Sequence, residues 1–297
     1  MIKVVLIGLG AVGLTYAVKI SNKCDLSILA DKERIEKFKA QKPVFNRVEQ
    51  DFNYILPTDK FDADLILITT KSQGLDSAIK SIKNFVGENT RIISLINGIS
   101  SEEKIKQAYP KANVLKSYFI GHSAVRNGSS VTQDGVGEIV IEEDDFIKEF
   151  FTNAKINFSM PEDIDYSMWL KYTFNLFSNP TSAILNLNFG ELKNNHTFID
   201  FAKNIISEVR LIAEKKGIKN LENLESDSIK SLEKMCNDGK TSMLQDILAK
   251  RPTEIDIFSG EIIKLGIEYN IQTPYNQVLY DLIKIKEKAN EHSIYTG

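Results

Sequence analysis

The chain has 297 residues, 42% hydrophobic and 26% charged, with a formal net charge of −3. That composition suits a soluble globular protein of two ordinary domains and excludes the basic surface that nucleic acid or an anionic membrane would need. Its two cysteines, Cys24 and Cys236, lie far apart and offer neither a disulfide framework nor a zinc spacing, so no metal is expected and the thiols are expected to be reduced, in a cytoplasmic setting.

The first segment, MIKVVLIGLGAVGLTYAV, has the charged start and apolar run of a secretory leader. Three ordered glycines interrupt the run, and no small-x-small cleavage site follows in KISNKC, so a folded start is expected. The run is also too short to span a bilayer comfortably. Residues 2–7 form an apolar β-branched strand that stops at glycine, and residues 10–21 read as a helix. Strands follow at 25–30, 64–69, 91–96 and 113–119, with helices near 31–40, 73–85 and 101–108. This alternation predicts a Rossmann-type, doubly wound parallel sheet. GSSVTQDGVGEIVIEED reads as turns and a hairpin-type strand pair closing that domain. Beyond it the pattern is helical: 165–179, 197–216, 227–237, 242–249, 252–269 and 274–290. The fold class is therefore α/β, with a dinucleotide-binding domain over 1–164 and an all-α domain over 165–297.

Gly8-Leu9-Gly10-Ala11-Val12-Gly13 has the G-x-G-x-x-G spacing. Gly8 allows the turn, Gly10 leaves room for a pyrophosphate at the backbone, and Gly13 lets helix and strand pack. The motif alone is weak, but here it follows a buried strand and opens a helix, which is its confirming context. Asp31, at the end of the second strand, suits the free ribose hydroxyl of NAD. Lys32 and Arg34 beside it suit the 2′-phosphate of NADP, and an exposed helix start would explain all three equally. Lys71 and Asn97-Gly98 follow two further strands at the carboxyl edge, where ligands of open α/β sheets bind.

In KYTFNLFSNP, Lys171, Asn175 and Asn179 recur every fourth residue and sweep only about 80° of a helix. They form a polar strip beside Trp169, Phe174 and Phe177. Taken singly, a snorkelling lysine and helix-end asparagines are sufficient readings, and Asn179 before Pro180 marks a candidate helix end or kink. Together they look like one wall of a cleft. Ser242 with Gln245 fits an S-x-x-Q capping box, and Glu254 lies in the first turn after Pro252, where a carboxylate meets the helix dipole.

With GLGAVG, TTKSQGLDSAIKSI, INGI, GHSAVRNG, MWLKYTFNLFSNPTSAI and SMLQDILAKRPTEID in this order, the chain resembles the ketopantoate reductase family over nearly its whole length. The resemblance implies reduction of 2-dehydropantoate to pantoate, on the way to pantothenate and coenzyme A. NADPH is the family's usual hydride donor, and a homodimer is implied. It also implies that Lys171 donates the proton, that Asn175, Asn179 and Ser242 bind substrate, and that Asn97 touches both ligands. Glu254 would lie at the cofactor–substrate junction, with Lys71 and Ala124 lining the cofactor.

Two positions depart from the family pattern. Asp31 stands where some members carry an arginine for the 2′-phosphate, which opens NAD as the donor. Phe189 stands where the family has an asparagine, with Asn186 and Asn188 as candidate replacements. His122, His196 and His292 are not expected to act as the acid. Two further readings stay open: a reductase of a different 2-oxo acid on the same plan, invited by Phe189, and a non-catalytic dinucleotide sensor, for which a retained Lys171 and Glu254 would have no use.

Overall fold

Strands that are apolar at every position end up covered on both faces, and they build the centre of the first unit. In the computed structural model, residues 1–121, 124–133, 135 and 137–295 are described, of 125 and 291–295 the backbone alone. The chain divides into two units, Met1–Ile164 and Asp165–Gly297. The first begins β1 (Lys3–Ile7), α1 (Ala11–Ile20), β2 (Asp25–Leu29), α2 (Lys32–Ala40), β3 (Val44–Phe45), β4 (Val48–Glu49), β5 (Asn53–Ile55) and β6 (Leu65–Ile68). It continues α3 (Leu75–Ser81), β7 (Arg91–Ser94), α4 (Ser101–Ala108), β8 (Asn113–Leu115), β9 (Ser117–Ile120), β10 (Ala124–Asn127), β11 (Ser130–Gln133), β12 (Glu138–Ile141), α5 (Asp145–Asn153) and β13 (Phe158–Ser159).

Six of these strands form one sheet in the order β5-β2-β1-β6-β7-β8, every neighbouring pair parallel. The chain winds outward from β1 to β5, then returns past β1 to β6 and winds the other way. The switch point between β1 and β6 is where such sheets bind ligands. Val4 and Leu6 enter the core on one face and Val5 and Ile7 the core on the other, as strand alternation demands.

Two local readings are corrected. The strand expected over 113–119 is two strands: β8 ends the main sheet, and after Lys116 the chain enters a separate three-stranded sheet in which β9 pairs antiparallel with β12. The expected hairpin within GSSVTQDGVGEIVIEED does not form either. β11 instead folds back on β10 around Gly128, while β12 pairs with β9 and β13. Strand period sets which face a residue occupies, but partner choice depends on segments distant in sequence. Helix α5 and the short strands β3, β4, β5 and β13 add to the expected set. Asp144 starts α5, its side chain accepting from Ile147 N at 2.9 Å while also receiving Arg91 Nε at 2.8 Å.

The second unit carries α6 (Ile164–Leu185), α7 (Phe189–Lys193), α8 (His196–Lys215), α9 (Leu224–Glu233), α10 (Ser242–Leu248), α11 (Ser259–Tyr269) and α12 (Pro274–Tyr295). The helix expected to stop at 179, before Pro180, runs on through the proline to Leu185. Leu176, Phe177 and Ala183 around it are fully buried, and that packing outweighs a local cost of about 3 kcal/mol. Asn186, left-handed at φ 57°, is what ends the helix, with Leu187 N donating back to Ser182 O at 3.1 Å. The helix expected over 252–269 is also divided, into a 3-10 turn at Ile255–Ile257 and α11, with the break at Phe258. The Tyr172 hydroxyl of α6 donates to Phe258 O at 2.8 Å and fixes that break. No helix of the described residues is long and apolar enough to cross a membrane.

Candidate active site

In the first unit the Gly8–Gly13 turn, Asp31, Lys71 and Asn97 follow the carboxyl ends of β1, β2, β6 and β7. β1 ends at Ile7 and is followed by Gly8, which has φ 106°. A Cβ on Gly8 would lie 2.7 Å from Thr70 N, and one on Gly13 would lie 1.9 Å from Gly8 O, so both glycines are demanded by the fold itself. Gly10 is different. It has a negative φ of −78°, and a Cβ there would meet no atom nearer than 4.0 Å. The fold does not need a glycine at this place, but a phosphate approaching the backbone does. Gly10 also caps α1 with no side-chain hydrogen bond, leaving the helix start to an incoming acceptor. The residues present therefore fit a dinucleotide. Leu9, Ala11 and Val12 complete the turn and pack on the adjoining core.

Asp31 caps α2, its Oδ1 accepting from Arg34 N at 2.8 Å, and its Oδ2 lies 3.5 Å from Arg34 Nε. Lys32 reaches toward Glu36, at 4.0 Å. Both cations that could greet a 2′-phosphate thus stand next to a carboxylate. The helix-start reading and the ribose reading of Asp31 are compatible: Oδ1 caps α2, while Oδ2, beside Arg34 Nε, belongs to a side chain that is still 58% exposed. Lys71 is exposed just after β6, Asn97 is half-buried after β7 ahead of Gly98 at φ 106°, and Ala124 opens β10. His122 lies outside the described residues, as does the side chain of His292.

Thr69 was not singled out from the sequence. Its hydroxyl donates to Gly8 O at 2.7 Å and so clamps the glycine turn to β6. The Thr69-Thr70 pair closing an apolar strand was the available signal. A cleft lined by Asp62, Asp64 and Glu88 opens beside the starts of β6 and β7, away from the glycine turn, and its acidic lining does not suit an anionic cofactor.

In the second unit three of the expected substrate residues are bonded in a row. The Ser242 hydroxyl donates to Asn179 Oδ1 at 3.1 Å, and Met243 N donates to the same oxygen at 3.2 Å. Asn179 Nδ2 then donates to Asn175 Oδ1 at 3.1 Å. Asn179 is only 4% exposed, so it serves as an interior hub, whereas Ser242 is exposed and Asn175 half-buried. Donors and acceptors all point one way, and the row ends in the Asn175 amide N–H groups, which have no partner among the described residues. Lys171 stands one turn before Asn175, half-buried. An ammonium and an amide donor on one helical face suit a carbonyl or carboxylate oxygen.

The capping box expected at Ser242 and Gln245 does not form. Thr241 takes the cap, its Oγ1 accepting from Leu244 N at 3.1 Å, and Gln245 donates to Lys240 O at 3.1 Å. Shifting the cap by one residue releases the Ser242 hydroxyl for Asn179. Glu254 heads the 3-10 turn rather than a long helix, and Thr253 beside it donates through N and Oγ1 to Glu287 Oε1 at 2.7 and 2.8 Å.

Of the two candidate replacements for the asparagine missing at Phe189, Asn186 ends α6 through its left-handed backbone and keeps an exposed side chain, and Asn188 caps α7 in a box with Glu191, with both bonds at 2.8 Å. Phe189 is buried and stacks on Phe174, ring centroids 6.1 Å apart.

Comparison with known proteins decides what this arrangement belongs to. Residues 4–145 match the family model described as ketopantoate reductase PanE/ApbA, and residues 163–287 match its C-terminal counterpart. A 2-dehydropantoate 2-reductase of Pyrococcus horikoshii is 34% identical, over 75% of this chain and 76% of that protein. The chain belongs to the ketopantoate reductase family. Among solved structures, a putative 2-dehydropantoate 2-reductase of Enterococcus faecalis superposes with a TM-score of 0.73 at 25% identity, covering 98% of this chain and 99% of that one. A D-mandelate dehydrogenase with NADH and anilino(oxo)acetate shares the fold, with a TM-score of 0.85 at 22% identity over 97% of this chain and 99% of that one. The family is one of oxidoreductases that depend on a nicotinamide dinucleotide.

Proposed function

We propose that the protein reduces 2-dehydropantoate (ketopantoate) to pantoate with a reduced nicotinamide dinucleotide. The observation that carries this reading is the directed row Ser242–Asn179–Asn175 beside Lys171. When bound, the dinucleotide supplies a hydride to the C2 carbonyl. Lys171 as ammonium hydrogen-bonds the carbonyl oxygen and surrenders a proton as negative charge builds there, an effect typically worth about 10²–10⁴-fold. Its neutral amine then recovers a proton from water. Asn175 and Ser242 orient the substrate's carboxylate and hydroxyl without adding charge, and the buried Asn179 holds both in place. The first unit binds the donor through the Gly8–Gly13 turn, with Lys71 and Asn97 at the same sheet edge, Ala124 on β10, and Glu254 of the second unit assigned to the junction of the two ligands.

The family's usual donor is NADPH. Here a 2′-phosphate would meet the Asp31 carboxylate, and Arg34 is already drawn to Asp31, so NADH is the better match. A second reading, reduction of a bulkier or aromatic 2-oxo acid, draws support from Phe189 packed on Phe174, the residue adjoining Asn175. Homodimerisation is supported by α12, where Tyr275, Val278, Leu282 and Ile285 form one exposed apolar stripe.

The test follows NADH and NADPH absorbance with ketopantoate and with branched and aromatic 2-oxo acids. Turnover with ketopantoate at least tenfold more efficient than with any other acid is the expected result. Preference for an aromatic acid supports the second reading, and dinucleotide binding with no turnover on any acid removes the reductase assignment.

A further inference from the structure

Strand alternation places Ala124 and Arg126 on the same face of β10. Ala124 packs on the core cluster that contains Leu9 and adjoins Ala11 and Val12. Two residues on, the Arg126 guanidinium reaches the glycine turn itself: Nη1 donates to Leu9 O at 2.9 Å, across 117 positions of sequence. Nε donates to Gly128 O at 2.9 Å, so the guanidinium is held from two sides, by its own hairpin and by the turn. All of this lies within the first unit.

A guanidinium has five N–H donors in one plane. Two are used here, both on neutral carbonyls, and the rest have no partner among the described residues. Among the described residues no carboxylate pairs with Arg126, nor with the exposed Arg47, while Arg34, Arg91, Arg210 and Arg251 each have one. An uncompensated cation is therefore fastened beside the start of α1, whose positive end carries no side-chain cap and whose Gly10 leaves open space. Planar N–H pairs match phosphate oxygens in a bidentate way that a lysine cannot.

We propose that Arg126 binds the pyrophosphate of the dinucleotide, completing from β10 a phosphate site that the glycine turn only begins. The inference rests on the dinucleotide reading of that turn but not on the identity of the 2-oxo acid. It also accounts for the β10–β11 hairpin lying over α1: the hairpin delivers a charge that the turn, built from glycines and apolar residues, lacks.

The experiment measures NADH affinity of the full chain by fluorescence titration, without substrate, for wild type, R126M and R126K across a range of salt concentrations. R126M, which keeps the aliphatic stem, should bind NADH at least tenfold more weakly and lose most of the salt dependence seen in wild type. R126K, which keeps the charge, should lie between the two, and inorganic pyrophosphate should compete with NADH on wild type far better than on R126M. A purely structural brace would instead lower the melting temperature while leaving the salt dependence of binding unchanged. That result, or R126M binding within threefold of wild type, overturns the proposal. Wild type binding neither NADH nor NADPH would remove the dinucleotide reading together with it. NADH binding that depends on Arg126 without ketopantoate turnover would remove only the substrate assignment and uphold the proposal.

Discussion

Ser242 Oγ donates to Asn179 Oδ1 at 3.1 Å, tying the first residue of α10 to the interior of α6 across 63 positions. The same Asn179 oxygen receives Met243 N, and its amide nitrogen orients Asn175. Asn179→Ala should therefore leave a buried N–H and an amide oxygen unpaired, lowering stability by about 1–3 kcal/mol. It should also raise the KM for the 2-oxo acid about tenfold through lost orientation of Asn175 and Ser242. Ser242→Ala, at an exposed position, should raise KM with a stability change under about 1 kcal/mol. Thermal melts and steady-state kinetics on the two variants separate these effects.

Lys171→Met keeps the aliphatic stem on α6 and removes the ammonium. Turnover should fall by about a hundredfold or more, the range for a lost general acid. NADH affinity should stay within twofold, because the glycine turn, Asp31, Lys71 and Asn97 lie in the first unit and Lys171 is assigned to the substrate. Near-normal turnover would show that another group protonates the oxygen.

Asp31→Asn isolates the cofactor choice. Asparagine caps helices about as well as aspartate, so α2 should keep its start and the protein its stability. The charge that repels a 2′-phosphate disappears. The ratio of kcat/KM for NADH to that for NADPH should drop by about tenfold or more, corresponding to about 1.4 kcal/mol. An unchanged ratio would mean that the phosphate never meets Asp31.

Glu102 is the second residue of α4, after the Asn97–Ser100 loop, and is buried, its Oε1 without a partner among the described residues and its Oε2 accepting from Ser101 Oγ at 2.9 Å. Burial raises its carboxyl from 4.5 to about 7, against the opposing pull of the Ser101 hydroxyl and of backbone N–H groups. The folded protein thus holds a proton that the unfolded chain releases at lower pH. This contribution to stability is complete below 4.5 and lost as pH rises through about 7. Glu102→Gln should remove that dependence and make the protein more stable than wild type at about pH 8, by at most about 3 kcal/mol. Denaturant melts of both proteins from pH 5 to pH 8 give the comparison; parallel curves would contradict it.

On α12, Val278 and Ile285 are 55% and 62% exposed. If this stripe joins two copies, Ile285→Lys should convert a dimer to a monomer in sedimentation velocity while leaving the melting temperature of the monomer unchanged. A monomeric wild type would leave the stripe without that role.

Much of the first unit could be read directly because its signals are local. A β-branched run covered on both faces becomes a strand wherever it lies, and Gly8 and Gly13 are required by contacts within one turn and its neighbouring strand. The polar strip on α6 was legible for the same reason, since helical period alone puts Lys171, Asn175 and Asn179 on one side. The resemblance of ordered motifs over nearly the whole length then pointed to the family.

Other features waited on contacts that no local pattern encodes. Whether Thr241 or Ser242 caps α10 is a choice between adjacent hydroxyls, settled by the direction from which the chain enters and by the pull of Asn179. Pro180 stays helical because packing around Phe177 outweighs a backbone penalty, and Asn179 is buried as a consequence. The 113–119 segment divides because its second half finds β12 as an antiparallel partner. Arg126 reaches Leu9 only once a hairpin has folded over α1. Local periodicity and glycine geometry were thus determined by the sequence itself. Burial, cap choice and long-range hydrogen bonds were decided by tertiary structure, because each depends on the free energy of groups brought together from distant parts of the chain.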